Sequence, residues 1–254
     1  MSSHERFGYE WNRYSDITPE YELQFSRWVY PLSEEDFMGK KVLDAGCGMG
    51  RNSYWALKWG ADELTAFDLD PRSVQATGNN LKEFNNARVL LKNIYEIKWQ
   101  DEFDLILSIG VIHHLKEPKD ALVKLIRAVK PEGALLFWVY SYEGNEWIVR
   151  YFSPVRKYFT SKLPIGMVHL LSYLCSAPLW VFIKLYRGAN GYFNQLKSFK
   201  FWHIHSIVFD QLIPEVANYW NKFEVADLLS DLNLQSVSIA HPPNGMGWTV
   251  ICKK

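Results

Sequence analysis

The feature that most constrains this chain is a regular alternation of short apolar segments and helical segments between residues 40 and 140. Strands separated by crossover helices pair in parallel, with helices on both faces of the sheet. The pattern therefore predicts an α/β fold. The five predicted strands are KVLDAG, LTAFDLD (64–70), RVLLKN (88–93), FDLILSIG (103–110) and ALLFWVY (134–140). The predicted helices are RNSYWALKWG, a segment from Pro71 to about Phe84, and a segment from about Pro118 to Val129, which KPEG ends.

The last thirty residues break this alternation. FEVADLLSDLNL (223–234) predicts a helix, and SVSIAH (236–241) and WTVICKK (248–254) predict two strands. The connection PPNGMG contains Asn244-Gly245, a pair typical of tight hairpins. A parallel sheet that finishes with a helix and a hairpin differs from the ordinary dinucleotide-binding fold.

Composition excludes several classes of protein. Apolar residues make up 48% of the chain, charged residues 22%, and the formal net charge is zero, as in a folded protein without a polyanionic partner. Cys47, Cys175 and Cys252 lie far apart and form no C-x-x-C pair, so we expect neither a disulfide framework nor a metal site. The N-terminus has no apolar core of a signal peptide. These observations predict a cytoplasmic protein.

The first predicted strand runs directly into a glycine-rich turn, Asp44-Ala45-Gly46-Cys47-Gly48-Met49-Gly50-Arg51. In open α/β sheets, ligands bind at the carboxyl ends of the strands, and glycines let the backbone approach them closely. A glycine-rich turn alone also fits NAD enzymes. Here, however, Arg51 stands where G-x-G-x-x-G has its third glycine. Asp44 would suit a ligand with an ammonium group better than a pyrophosphate.

Two further strand ends supply polar groups. Asp68 ends the second strand, where a carboxylate can accept hydrogen bonds from both ribose hydroxyls. Asp70 precedes Pro71 and is instead predicted to cap the following helix. Asn93 and Ile94 end the third strand, where they can hold an adenine by hydrogen bonds and by apolar contact.

VLDAGCGMGR, AFDLD, KNI, FDLILSIGVIHHL and AVKPEG, in this order, resemble the successive motifs of class I methyltransferases of the UbiE/Coq5-like type 11 group. The resemblance covers about residues 40–140 and implies a Rossmann-like, seven-stranded sheet of order 3-2-1-4-5-7-6 with S-adenosylmethionine as cofactor. It also implies Asp44, Gly46 and Gly48 near the methionine end, Asp68 on the ribose and Asn93 by the adenine. Asn93 departs from the Asp usual there. The full predicted cofactor set is Asp44, Gly46, Cys47, Gly48, Arg51, Asp68, Leu69, Asn93, Ile94, Ser108 and Ile109.

Methyl transfer needs a general base only when the acceptor arrives protonated. His113 and His114 follow the fourth strand and either act as a base or hold their loop by hydrogen bonds. Tyr140 ends the fifth strand on the same side, and Asp210 is a further candidate base or orienting group. His241 and Asn244 are candidates by topology, with ordinary hairpin chemistry as the equal alternative.

The predicted organisation is a pair of N-terminal lid helices (1–38), a core (39–142 and 223–254) and an inserted helical cap, residues 143–222. The cap leaves the carboxyl end of the fifth strand, so it should cover the site. It contains seventeen aromatic residues, and from Trp147 to Phe209 it has eight Lys or Arg and no acid. Residues 163–183 carry no formal charge. Prolines and polar residues within this segment disfavour a helix that spans a membrane. Two alternatives remain: the cap buries its aromatic residues over a hydrophobic or anionic acceptor, or it lies on an anionic membrane surface.

The sequence thus predicts methyl transfer to a small or lipid-like acceptor. Two alternatives are an NAD-dependent oxidoreductase and a non-catalytic, cofactor-binding partner protein. A nucleic-acid substrate is disfavoured, because a phosphate-binding groove requires solvated Lys and Arg in a stripe. Neither the acceptor nor the oligomeric state follows from the sequence.

Overall fold

The computed structural model describes residues 2–188, 191–242 and 246–254. Seven strands form one sheet of order β3-β2-β1-β4-β5-β7-β6, which confirms the predicted fold class. Neighbouring strands among the first five pair in parallel, and β7 runs antiparallel to both β5 and β6. The strands are β1 Lys41–Ala45, β2 Glu63–Asp68, β3 Ala87–Leu91, β4 Phe103–Ile109, β5 Val129–Tyr140, β6 Ser236–Ala240 and β7 Gly247–Lys253.

The α-helices fall into three groups along the chain. Two precede the sheet, four accompany its strands, and four belong to the cap. They are α1 Ser3–Arg13, α2 Glu20–Val29, α3 Arg51–Lys58, α4 Pro71–Asn80, α5 Pro118–Ala128, α6 Ser153–Tyr158, α7 Ile165–Leu185, α8 Gly191–Leu196, α9 Phe201–Leu212 and α10 Lys222–Leu229.

The sheet is buried on both faces, as its continuous apolar strands require. One face packs on α5 and α10, where Leu122, Leu125 and Val225 are fully buried. The other face packs on α2 and α3, through Phe25, Val29 and Ala56. The α2 helix therefore serves as a layer of the core.

Several element boundaries differ from the sequence prediction. The strand β5 begins at Val129 instead of residue 134, because KPEG continues the strand through an irregular stretch in which Glu132 has φ +63°. The β4–β5 register shifts there, between Phe103 and Leu105. The helices α4 and α10 end earlier than predicted, at Asn80 and Leu229. Asp70 caps α4 as predicted, since its Oδ1 accepts from the Arg72 backbone N–H at 2.9 Å.

The cap has its own small apolar clusters. Val168 on α7 packs with Phe209 and Leu212 on α9, and Phe7 and Tyr9 of α1 join them. Arg6 ties α1 to the same region, since its Nη2 donates to the Leu163 carbonyl oxygen at 2.6 Å. The chain then returns to the sheet, where Trp220 forms a parallel bridge with Ser141. Helix α1 and the cap thus meet beyond the carboxyl ends of the parallel strands.

Candidate active site

A cavity of about 580 Å³ lies between the carboxyl ends of the strands, helix α1 and the cap. Its size is that of a small-molecule site. The sheet contributes the loops that follow β1 to β5, and the cap contributes mainly apolar and aromatic side chains. Of the eleven predicted cofactor residues, nine line this cavity: Gly46, Cys47, Gly48, Arg51, Asp68, Leu69, Asn93, Ile94 and Ile109.

The glycine turn after β1 forms the floor of the cavity. Gly46 and Gly48 have φ of +81° and +58°, which side chains with a Cβ rarely adopt. A Cβ on Gly46 would lie 2.5 Å from Val111 Cγ2, and one on Gly48 would lie 3.0 Å from Trp11 Nε1. Close approach from two sides therefore requires glycine at both positions.

The two predicted acids lie at different depths. Asp44 is fully buried, and its Oδ2 accepts from Ser53 Oγ at 2.6 Å, while its Oδ1 has no partner among the described residues. Burial raises the pKa of Asp44 to about 6. Asp68 lines the cavity, and its carboxylate accepts from the backbone N–H groups of Gly48 and Asp70, both at 3.0 Å. Asp68 therefore fixes the glycine turn while it faces the cavity.

The adenine-side candidates lie at the ends of β3 and β4. Asn93 Oδ1 accepts from the Tyr95 backbone N–H at 3.1 Å and so caps a short 3₁₀ turn, while Ile94 beside it is 8% exposed. Ile109 lines the cavity at the end of β4. Ser108, before it, is fully buried, and its Oγ donates to the Ala45 carbonyl oxygen at 3.2 Å. Ser108 thus joins β4 to β1 behind the site.

Cys47 is a buried thiol, whereas Arg51 carries a charge at the wall of the cavity. The Cys47 thiol is buried against Thr77 Oγ1 at 3.4 Å, and burial raises its pKa well above the ordinary value, so it is a packing group. The Arg51 guanidinium lies 5.1, 5.3 and 4.8 Å from the ring centres of Trp11, Tyr21 and Trp28. These cation–π contacts hold a positive charge at the cavity wall.

The two histidines after β4 are neutral. His114 Nδ1 makes a hydrogen bond of 2.8 Å with the Val216 carbonyl oxygen, and burial lowers its pKa to about 4. This contact supports the loop-holding alternative for His114. His113 is fully buried, its ring nitrogens have no partner among the described residues, and burial lowers its pKa well below the ordinary value. Of the two, only His114 lines the cavity.

A hydrogen-bonded chain of side chains lies at the end of β5. Tyr140 Oη donates to Asp210 Oδ2 at 3.4 Å and accepts from Gln211 Nε2 at 2.9 Å. Gln211 Oε1 in turn accepts from Tyr219 Oη at 3.0 Å. Burial raises the pKa of Asp210 to about 6 and the pKa of Tyr140 well above its ordinary value. The structure thus brings two predicted catalytic candidates together on the cap side of the cavity.

His241 and Asn244, the candidates in the hairpin, do not join this chain. His241 Nδ1 makes a hydrogen bond of 2.9 Å with the Gly247 carbonyl oxygen, and its ring packs 3.6 Å from the Trp248 ring centre. It does not line the cavity. Asn244 lies outside the described residues.

Sequence reasoning missed Glu10 on α1. This side chain is 1% exposed, lines the cavity, and neither of its carboxylate oxygens has a partner among the described residues. Burial and the nearby Asp210 carboxylate raise the pKa of Glu10 well above its ordinary value. The sequence did contain a signal for Glu10, because this acid lies between Phe7 and Trp11 on the apolar face of an amphipathic helix.

The sheet order and the glycine turn after β1 are those of a class I, Rossmann-like fold. Residues 43–137 match the family described as "Methyltransferase domain". This central part of the chain is therefore similar to methyltransferase domains, the class of protein that the motifs indicated.

Relatives match over part of the chain. The ribosomal protein L11 methyltransferase of Actinobacillus pleuropneumoniae is 37% identical over 105 residues, which are 41% of this chain and 35% of that protein. The mitochondrial ubiquinone biosynthesis O-methyltransferase of Dictyostelium discoideum is 26% identical over 52% of this chain and 44% of that protein. The chain thus spans less than half the length of these relatives.

Two solved structures share the fold over most of the chain. Magnesium protoporphyrin IX methyltransferase from Synechocystis PCC 6803 has a TM-score of 0.58 at 11% identity, covering 96% of this chain and 93% of that one. The 1,6-didemethyltoxoflavin-N1-methyltransferase of Burkholderia thailandensis has a TM-score of 0.55 at 18% identity, covering 92% and 79%. Both were solved with S-adenosylhomocysteine, the demethylated product of S-adenosylmethionine.

The residues present fit S-adenosylmethionine as cofactor. Gly46 and Gly48 leave the turn without side chains where the nucleoside must approach, and the Asp68 carboxylate faces the same space. Arg51 supplies a positive charge in the lining of the cavity. Asn93 and Ile94 offer an acceptor oxygen and an apolar contact for the adenine.

Asp68→Ala should weaken binding of S-adenosylhomocysteine about tenfold or more, because it removes the predicted ribose acceptor together with the anchor of Gly48. Isothermal titration calorimetry measures this loss. The exposed Asp62, just before β2, provides the control: Asp62→Ala should leave the affinity unchanged. Equal affinities of the two variants would contradict the assignment of Asp68.

Proposed function

We propose that the whole chain is an enzyme that transfers the methyl group of S-adenosylmethionine to a largely apolar small molecule bound beneath the cap. The observation that carries this proposal is the position of the Tyr140–Asp210 pair. The pair lines the same cavity as the cofactor residues and lies on its cap side. A methyl donor and a proton-accepting group can therefore reach one acceptor atom.

The lining of the cap side supports an acceptor that is apolar and carries a proton. Aromatic and aliphatic side chains such as Phe152, Leu179 and Val208 dominate it. Asp210 is the single charged residue of the cap among the described lining residues. None of the eight basic residues between Trp147 and Phe209 lines the cavity, so an anionic acceptor has less support than a neutral hydroxyl or an amine.

Catalysis in this site would depend mainly on placement. The bound cofactor supplies an activated methyl group, so the chain must hold the acceptor in line with it and exclude water. The cap and α1 enclose the cavity, and Phe7 packs over His114 with ring centres 4.8 Å apart. Asp210, or Tyr140 hydrogen-bonded to it, would take the proton of the acceptor.

A screen of apolar phenols, quinols and amines with isotopically labelled S-adenosylmethionine tests the proposal. Label should appear in at least one apolar acceptor. Cofactor binding without transfer to any class would favour a non-catalytic, cofactor-binding partner protein. Binding of NAD in place of S-adenosylmethionine would favour an oxidoreductase.

Asp210→Asn should lower kcat by about a hundredfold or more, because the amide cannot accept the proton. In the wild type, the rate should rise as pH increases through about 6, where Asp210 loses its proton. This rise should be absent in the variant. Asp227→Asn, on the outer surface of α10, is the matched control and should behave as wild type. A variant with the wild-type rate and pH profile would exclude Asp210 as the base.

We further propose that the outer face of α7 rests on an anionic bilayer. The buried side of this helix carries three polar residues beside its apolar ones, and these three, His169, Ser172 and Ser176, are hydrogen-bonded. Its exposed side is apolar at helical spacing. The residues of this lipid-facing surface, 49–72% exposed, are Met167, Leu170, Leu174, Val181, Phe182 and Leu185.

Charge and length agree with an interfacial position. By length and composition α7 could cross a membrane, with a mean hydropathy of 1.6 over its most apolar window. However, its buried polar side packs on α9 of the same chain, so it offers lipid only one face. Exposed basic residues lie at both ends: Lys157 and Lys162 before it, Lys184 in its last turn and Arg187 after it. Such a rim favours anionic headgroups.

The chain should therefore sediment with vesicles that contain phosphatidylserine, and much less with pure phosphatidylcholine vesicles. Replacing Leu170 and Leu174 together by Glu should lower the bound fraction about tenfold or more, because two apolar contacts are lost and two charges repel the headgroups. The control replaces Leu23 and Leu91, which are 51% and 59% exposed elsewhere, by Glu. No binding of the wild type to anionic vesicles, or equal binding of both double variants, would contradict the surface.

A further inference from the structure

Glu10 carries a buried carboxyl group that has no hydrogen-bond partner among the described residues. A charge removed from water is costly unless it is paired and hydrogen-bonded. Glu10 is 1% exposed, yet its two oxygens have no partner in the described part of the chain. The side chain nevertheless lines the cavity, so a bound ligand can supply the missing partner.

Arg51 is the complementary charged group in the lining of the cavity. Its guanidinium interacts electrostatically with Glu10, yet the two form no ion pair within 4.0 Å among the described residues. Three aromatic rings hold Arg51 in place, and the ring of Trp11, next to Glu10, also covers Gly48. A fixed cation and an unpartnered anion thus both line the cavity beside the glycine turn. This arrangement is complementary to an amino-acid zwitterion.

We infer that Glu10 and Arg51 together bind the amino-acid end of S-adenosylmethionine, with Glu10 accepting from its ammonium group and Arg51 donating to its carboxylate. This inference rests on the proposed function, since it takes S-adenosylmethionine as the ligand. It gives α1 a role beyond covering the cavity, because the helix carries one of the two charged contacts. The sequence motif places the ammonium near Asp44, which is fully buried, and that placement stays a prediction beside this inference.

The other groups near Glu10 make its protonation depend on the ligand. Asp210 on α9 opposes the charged form, Arg51 on α3 favours it, and the phenols of Tyr14 and Tyr21 lie within electrostatic range. Burial raises the pKa of Glu10 well above its ordinary value, which favours the protonated form. An ammonium group beside it lowers that pKa. Binding of the amino-acid end should therefore release a proton from Glu10.

The test compares two nucleosides that differ in the inferred contact. S-adenosylhomocysteine carries the amino-acid end, and 5′-methylthioadenosine lacks it. Glu10→Gln should weaken binding of S-adenosylhomocysteine about tenfold or more, the value of a charge-assisted hydrogen bond, and leave 5′-methylthioadenosine nearly unchanged. Asp16→Asn, an exposed carboxylate beyond the end of α1, is the control and should leave both affinities at the wild-type value.

Calorimetry at pH 7 in two buffers of different ionisation enthalpy adds a readout that a structural role would not change. The wild type should release a fraction of a proton when it binds S-adenosylhomocysteine, and Glu10→Gln should release less. Unchanged affinity and proton release in the variant would overturn the inference. An equal loss for both nucleosides would also overturn it, since it would indicate a misplaced α1. Failure of the wild type to bind either nucleoside would instead overturn the cofactor assignment itself.

Discussion

The hydrogen bond from the Gly48 backbone N–H to the Asp68 carboxylate is the contact on which the rest of the site depends. It joins the turn after β1 to the end of β2 at 3.0 Å and holds the turn open as the floor of the cavity. The left-handed backbone at Gly46 and Gly48 makes this geometry accessible without strain. Close packing of Val111 and Trp11 then fixes the turn from two sides.

The cavity is enclosed by two segments that are distant in sequence, helix α1 and the cap. Helix α1 lies over the turn and is tied to the cap by Arg6, while the cap brings Asp210 to Tyr140 at the end of β5. In the cap, an acidic side chain lies at the cavity and basic side chains lie on the outer surface. Asp210 faces the cavity, and exposed basic residues flank the apolar outer face of α7. One inserted segment can thus serve an apolar acceptor inside and an anionic surface outside.

Local pattern predicted the strands of the sheet and the cap that Asp70 forms on α4, because strand periodicity and helix capping are local signals. The strand order came from the resemblance to class I methyltransferases, and the structure confirms it. The sequence placed the start of β5 five residues late, since the irregular pairing around Glu132 depends on contacts with β4 rather than on local pattern. It also offered Tyr140 and Asp210 as separate candidates, and only the tertiary structure shows their hydrogen bond. Glu10 was missed because its burial and its approach to Arg51 are created by the docking of α1.

The most direct test of the central claim is calorimetric titration of the purified chain with S-adenosylhomocysteine and, separately, with NAD. The structure predicts saturable binding of one S-adenosylhomocysteine per chain and no measurable heat with NAD, because the turn carries Arg51 and the buried Asp44 in place of a pyrophosphate site. Saturable binding of NAD together with no response to S-adenosylhomocysteine would contradict the assignment of the cavity.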